Sequence, residues 1–254
     1  GYWLQTNPKT KITLGDGVEY GAFATTHFML SYLAELGLDK EHALIKKAAD
    51  RYLNLQQPDG DFWNQMSCLN GYNLLTFYRL GYKNDSRYKK LVEWCLNNTR
   101  PDGGYLCNMH LRRNTKKKSC YRGSAKVLLG FSMLPEYWGH PRVLELAGYF
   151  LNRNGIFNSK KTEFVNKDIT KNSFPFIWRT NTWEILLALS KMRYGNDERL
   201  DAAWQVAEEK LHESGLYMLD WSPVQLPISF GRRGMVNLWI SFYMLLAKKY
   251  REQN

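Results

Sequence analysis

Apolar residues along this chain recur three and four apart in repeated blocks. In "SRYKKLVEWCLNN", Leu91, Val92, Cys95 and Leu96 share one face while Lys and Glu fill the rest, which predicts an amphipathic helix. Similar polar-faced blocks lie within 36–63, 80–105, 134–157 and 192–217. Between them run segments that are apolar over most of their circumference: 21–36, 67–80, 121–134, 180–192 and 234–250. A helix that is apolar all round has to be buried, so these segments are expected to be the inner partners of the polar-faced outer helices. No run of alternating residues requires a sheet. The pattern predicts an all-α fold of about five helical hairpins, in one domain spanning 1–254. Inner helices of this kind point to closure into an α/α toroid rather than an open solenoid.

The outer blocks are also a repeat at the level of single residues. Three of them open with an Asp or His two positions before an Arg: Asp85/Arg87, His140/Arg142 and Asp197/Arg199. All four end in Gly-x-aromatic, at Gly60/Phe62, Gly103/Tyr105, Gly155/Phe157 and Gly215/Tyr217, so the units are spaced 43 to 60 residues apart. Glycine there allows the positive φ that stops a helix. Gly1-Tyr2-Trp3 fits the same ending, which leads to the expectation that the chain begins just after an outer helix.

Gln56, Gly60 and Phe62 in "QQPDGDF" resemble the QW repeat of squalene and hopene cyclases, and "RPDGGY" (100–105) resembles the DGG-aromatic turns of protein prenyltransferase β-subunits. With the hairpin spacing, nearly the whole chain is similar to the terpenoid cyclase/protein prenyltransferase α/α-toroid superfamily. "DGGYLC…SCYRGSAKVLLGFSMLP" followed by "FPFIWRTNTWEILLAL" resembles, more narrowly, small bacterial and archaeal prenyltransferase-like proteins. The resemblance implies a central cavity that takes an isoprenoid or a similar apolar anionic ligand. The superfamily's Asp-x-Asp-Asp, Asp-Asp-x-x-Asp and Asp-x-Cys motifs do not occur here, so no reaction follows from it.

Charge and composition narrow the partners. The chain carries 35 Lys and Arg against 24 Asp and Glu, a net charge of +11, which favours anionic partners. The densest basic run, 111–118, contains no aromatic residue, so nucleic acid is not predicted. The longest apolar run, "VNLWISFYMLLA", is short of the ~20 residues that span a bilayer, so no membrane span is expected. Four irregularly spaced cysteines make no disulfide framework, and a reducing cytoplasm is the expected location.

In a toroid the inner helices begin at one end of the barrel, around the mouth of the cavity. His27, Arg122, Arg179, Asn181, Asn237 and Arg232 or Arg233 fall near that layer, where helix N-termini and guanidinium groups suit an anionic ligand. Pairing with nearby carboxylates or loops is the structural alternative. Trp63, Tyr72, Trp178, Trp183, Trp239 and Tyr243 are candidates for an apolar pocket wall, with core packing as the alternative. Cys107, His110 and Cys120 provide three N/S ligands in a segment without counterpart in the other repeats, and Cys68 is the candidate fourth ligand of a zinc ion. A reactive thiol, a Cys107–Cys120 disulfide or inert core cysteines are the other readings. Of the few carboxylates near inner-helix starts (Asp16, Glu19, Asp61, Glu184, Asp220), Asp220 is the candidate general acid.

Three functions stay open at this point. They are a prenyltransferase- or cyclase-like protein with a deep apolar pocket, a non-catalytic binding scaffold with a basic mouth, and a carbohydrate-active toroid.

Overall fold

The computed structural model describes residues 26–62, 67–107, 118–176, 179–222 and 229–253. Among these residues it contains nine α-helices: α1 (Thr26–Glu35), α2 (Ala43–Leu53), α3 (Ser67–Arg79), α4 (Ser86–Asn97), α5 (Tyr121–Phe131), α6 (Pro141–Leu151), α7 (Thr182–Lys191), α8 (Asp201–Glu208) and α9 (Leu238–Glu252). The described residues form no strand, only isolated bridges such as Ser173 with Trp221. The all-α expectation holds. None of the described helices is long and apolar enough to cross a membrane.

The helices alternate as the periodicity predicts. The even-numbered helices bury one stripe, for example Tyr88, Leu91, Val92, Trp94 and Cys95 of α4. By contrast α3, α5 and α7 are buried over nearly their whole length. Each even-numbered helix packs on the inner helix before it: α2 on α1, α4 on α3, α6 on α5 and α8 on α7. The inner helices pack on one another in chain order, α1 on α3, α3 on α5, α5 on α7 and α7 on α9. The most intimate of these contacts, α3 with α5, needs a glycine: a Cβ on Gly71 would lie 2.5 Å from the Val127 amide nitrogen.

The last inner helix returns to the first. The Tyr243 hydroxyl of α9 donates to the Glu35 carboxylate of α1. Arg79 of α3 pairs with that carboxylate and donates to the Tyr243 oxygen at 2.9 Å. Tyr32 packs on Phe230 at 5.6 Å. One inner helix departs from expectation. α9 leaves Leu238, Phe242 and Leu245 exposed at 72, 54 and 53%, because no described outer helix packs on its outward face.

The repeat residues explain how the units join. Asp85 caps α4 by accepting the Arg87 N–H at 2.8 Å, and its carboxylate also holds the Arg87 guanidinium. Arg87 then reaches back to Asn54, the C-cap of the preceding outer helix, at 2.7 Å. Asp197 and Arg199 repeat this arrangement toward Asn152, the C-cap of α6. At His140/Arg142 the cap is kept, but the arginine turns to Glu145 of its own helix. Three of the terminator glycines, Gly60, Gly103 and Gly155, dock on the next outer helix. Gly103, at φ +81°, faces the Glu145 carbonyl so closely that a Cβ would sit 2.4 Å from its oxygen.

Candidate functional site

The layer at the inner-helix starts exists, but it is largely filled by protein. Asn181 and Asn237 are buried N-caps of α7 and α9, accepting the N–H groups of Glu184 and Ile240. Asn181 also donates to the Ser173 carbonyl at 2.8 Å. His27 is 1% exposed and packs among Phe28, Tyr52 and Tyr72, with the Tyr72 ring stacked at 5.8 Å. Burial pushes the His27 imidazole down to about 3, so it is neutral. Tyr72, Trp183 and Tyr243 are buried too, and Trp183 stacks on Tyr243 at 5.1 Å. Trp239 stacks on Phe174 at 5.6 Å. These aromatics pack as core around one another. Trp63, Trp178 and His110 lie outside the described residues, as do Asp16 and Glu19.

At the centre of the molecule Lys126 of α5 and Glu184 of α7 form an ion pair with both side chains fully buried. The Lys126 ammonium donates to both Glu184 oxygens at 2.7 Å, to the Arg179 carbonyl at 2.9 Å and to the Phe176 carbonyl. Desolvation brings the ammonium down to about 8 and raises the carboxyl, with each partner working against the shift of the other. Asn181 and Glu184 form a capping box, the carboxylate accepting the Asn181 N–H. The pair ties α5 to α7 and is closed to solvent.

Three of the four expected zinc ligands do meet. The sulfurs of Cys68 and Cys107 are 3.5 Å apart, Cys107 is hydrogen-bonded to Cys120, and Ser67 Oγ lies 3.2 Å from the Cys107 sulfur. Among the described residues, no group of three or more His, Cys, Asp or Glu is arranged to hold a metal ion. Hydrogen bonds from Cys120, Cys68 and Ser67 favour a thiolate at Cys107, whereas donating to that sulfur raises the thiols of Cys68 and Cys120.

The accessible chemistry lies elsewhere, on the connections 152–181 and 209–237. Lys171, Lys210, Leu219, Asp220, Arg233 and Gly234 line an open cleft of about 220 Å³. Beside it the Arg179 guanidinium lies over the Trp221 ring at 4.1 Å and pairs with Asp168 at 3.0 Å. Asp168 also holds Lys171 at 2.7 Å. Asp220 accepts the Asn172 N–H at 2.8 Å and faces Lys210 at 3.7 Å. That carboxylate therefore positions a loop and a lysine. Arg232 is exposed, and of the two neighbouring arginines it is Arg233 that lines the cleft. Lys171, Arg179, Lys210 and Arg233 stand against Asp168 and Asp220, so the surface is net positive.

Sequence reading identified Arg179, Arg233 and Asp220 but missed Lys171, Lys210, Trp221 and Asp168. The available signal was the length of the two connections, since long loops in a hairpin repeat are where binding residues gather. A larger cavity of about 640 Å³ at Lys40, Lys46, Asp50, Asn54, Tyr82, Asn84, Asp85 and Arg87 is the outer face of the repeat joint. Its charges satisfy one another, which leaves it little to offer a ligand.

No family model matches the sequence, and no curated protein matches it. Among solved structures, a polysaccharide lyase is similar in fold, with a TM-score of 0.53 over 99% of this chain and 81% of the other, at 13% identity.

Proposed function

We propose that the chain is a carbohydrate-active protein of α/α-toroid type that takes an anionic polysaccharide along the cleft of Lys171, Lys210 and Arg233. The carrying observation is that cleft: an open, net-positive groove with an aromatic ring under a guanidinium at its edge. Sugar rings stack on the apolar face of an indole, and carboxylate or sulfate groups pair with Lys and Arg. The net charge of +11 adds long-range attraction for a polyanion. The toroid reading is supported by the chain-order contacts of the inner helices and the return from α9 to α1. It is the shape expected of the cyclase and prenyltransferase superfamily and also compatible with the lyase neighbour. The core-packed aromatics around His27 and Tyr72 favour the carbohydrate reading over an isoprenoid cavity.

Native gels cast with polygalacturonate, alginate or a neutral glucan test the proposal. Retardation is expected with the polyuronates alone, weakened about fivefold or more in Arg233→Ala and in Lys171→Ala, since each removes a charge-assisted contact. Absorbance of unsaturated uronate products in the same incubations reports whether elimination follows binding. Equal mobility in all three gels at low salt would refute the proposal.

A further inference from the structure

The cysteine cluster is not used by the carbohydrate reading, and its geometry has direction. Ser67 and Cys68 begin α3, and Cys120 is the N-cap of α5, its sulfur accepting the Gly123 N–H at 3.4 Å. The first turns of the two helices touch, for a Cβ on Gly123 would lie 2.3 Å from Ser67 Oγ. Cys107 enters this junction from the connection after the Gly103 turn and contacts the sulfurs on both sides. Exposure is graded across the three: Cys120 is half-buried, whereas Cys68 and Cys107 are 6% and 2% exposed. Cys95, the remaining cysteine, is fully buried. Two helix N-termini converge on the sulfurs, and Arg122 follows Cys120, a setting that supports one negative charge in the cluster, which the hydrogen bonds place at Cys107 within reach of the Cys120 proton.

We propose that Cys120, Cys107 and Cys68 form an oxidation relay, a modification site at which a hydroperoxide is reduced at the surface and a disulfide is stored inside. Cys120 passes its proton to the Cys107 sulfur to which it donates and attacks the peroxide, the O–O bond breaks, and Cys120 becomes a sulfenic acid while an alcohol or water leaves with a proton from solvent. The Cys107 thiol condenses with it, forming a Cys107–Cys120 disulfide and releasing water. The Cys68 thiolate then attacks the Cys107 sulfur. The Cys68–Cys107 bond forms, the Cys107–Cys120 bond breaks, and Cys120 takes up the proton that Cys68 gave up. One peroxide is consumed and two thiols are oxidised. Cys120 returns to its reduced state.

The test is a time course of the full chain with hydrogen peroxide, quenched by alkylation and mapped by mass spectrometry without reduction. The Cys107–Cys120 peptide pair is expected first and the Cys68–Cys107 pair later, each lighter by two hydrogens, with Cys95 alkylated throughout. Cys120→Ser is expected to slow disulfide formation by about tenfold or more, because the remaining sulfurs are buried. Cys107→Ser is expected to abolish it. The wild-type time course is decisive by itself, whatever either variant does to folding. Four alkylated cysteines after peroxide exposure that oxidises free cysteine would overturn the relay, as would a product containing Cys95. Thiols that react only after treatment with a chelator would overturn it too, in favour of a bound metal.

Discussion

Lys126 and Glu184 offer a measurement of how dry the centre of the molecule is. Each charge is fully buried, and each has been drawn toward its neutral form by desolvation. Removing one partner strands the other. Lys126→Met leaves the Glu184 carboxylate with the Asn181 N–H and the charge of Arg122, and breaking a buried pair in this way costs about 3–5 kcal/mol. Glu184→Leu should cost less, because Lys126 can release its proton and still donate to the Phe176 and Arg179 carbonyls. The double variant removes both charges and leaves only unpaired carbonyls and a weakened cap. Those losses are about 1–2 kcal/mol each, partly offset by the desolvation no longer paid. The expected coupling between the two sites is therefore about 1–3 kcal/mol. Urea unfolding of the four proteins at pH 7, followed by circular dichroism, gives that coupling directly. A value below about 1 kcal/mol would mean that water reaches the pair, and the reasoning from burial would fail.

Two further outcomes follow from single sites. Gly103 and Gly215 share a positive φ, +81° and +77°, but a Cβ would strike the Glu145 carbonyl only at Gly103 and would meet nothing within 4 Å at Gly215. Gly215→Ala should cost about 1–2 kcal/mol for conformation alone, and Gly103→Ala clearly more. Equal losses in thermal or urea unfolding would show that docking on the next helix adds nothing. His27 sits at about 3 when folded, against 6.5 for an ordinary histidine, so an unfolded chain binds a proton there that the folded chain refuses. Its contribution is fully present above about pH 6.5 and is lost as pH falls toward 3, at up to about 1.4 kcal/mol per pH unit. Unfolding at stepped pH should show a shallower acid slope in His27→Phe, and an unchanged slope would contradict a neutral buried imidazole.

How much of this was legible beforehand depends on range. Local signals were reliable: the three- and four-residue spacing located the inner and outer helices, and the terminator glycines all take positive φ. Asp85, His140 and Asp197 stand out in sequence because a cap and its arginine lie two residues apart. Long-range partnerships were not legible. Lys126 in "YRGSAKVLLGF" reads as one lysine on a helix, and nothing nearby announces a carboxylate 58 positions on. The cleft is assembled from two separate connections, so its lysines carry no shared motif. Periodicity also described α9 as apolar without revealing that part of that surface has no described partner.

The return of Tyr243 to Glu35 has a bearing on how the chain is made. These residues are 208 positions apart, so at ~5–20 residues per second a ribosome needs roughly 10 to 40 seconds to add the second after the first. Arg79, 44 positions after Glu35, can hold it for most of that interval, but the tyrosine that joins them does not yet exist. Until then α1 and α3 lack the partner that α9 brings to both. The Glu35 carboxylate has its full set of partners only when synthesis has passed Tyr243.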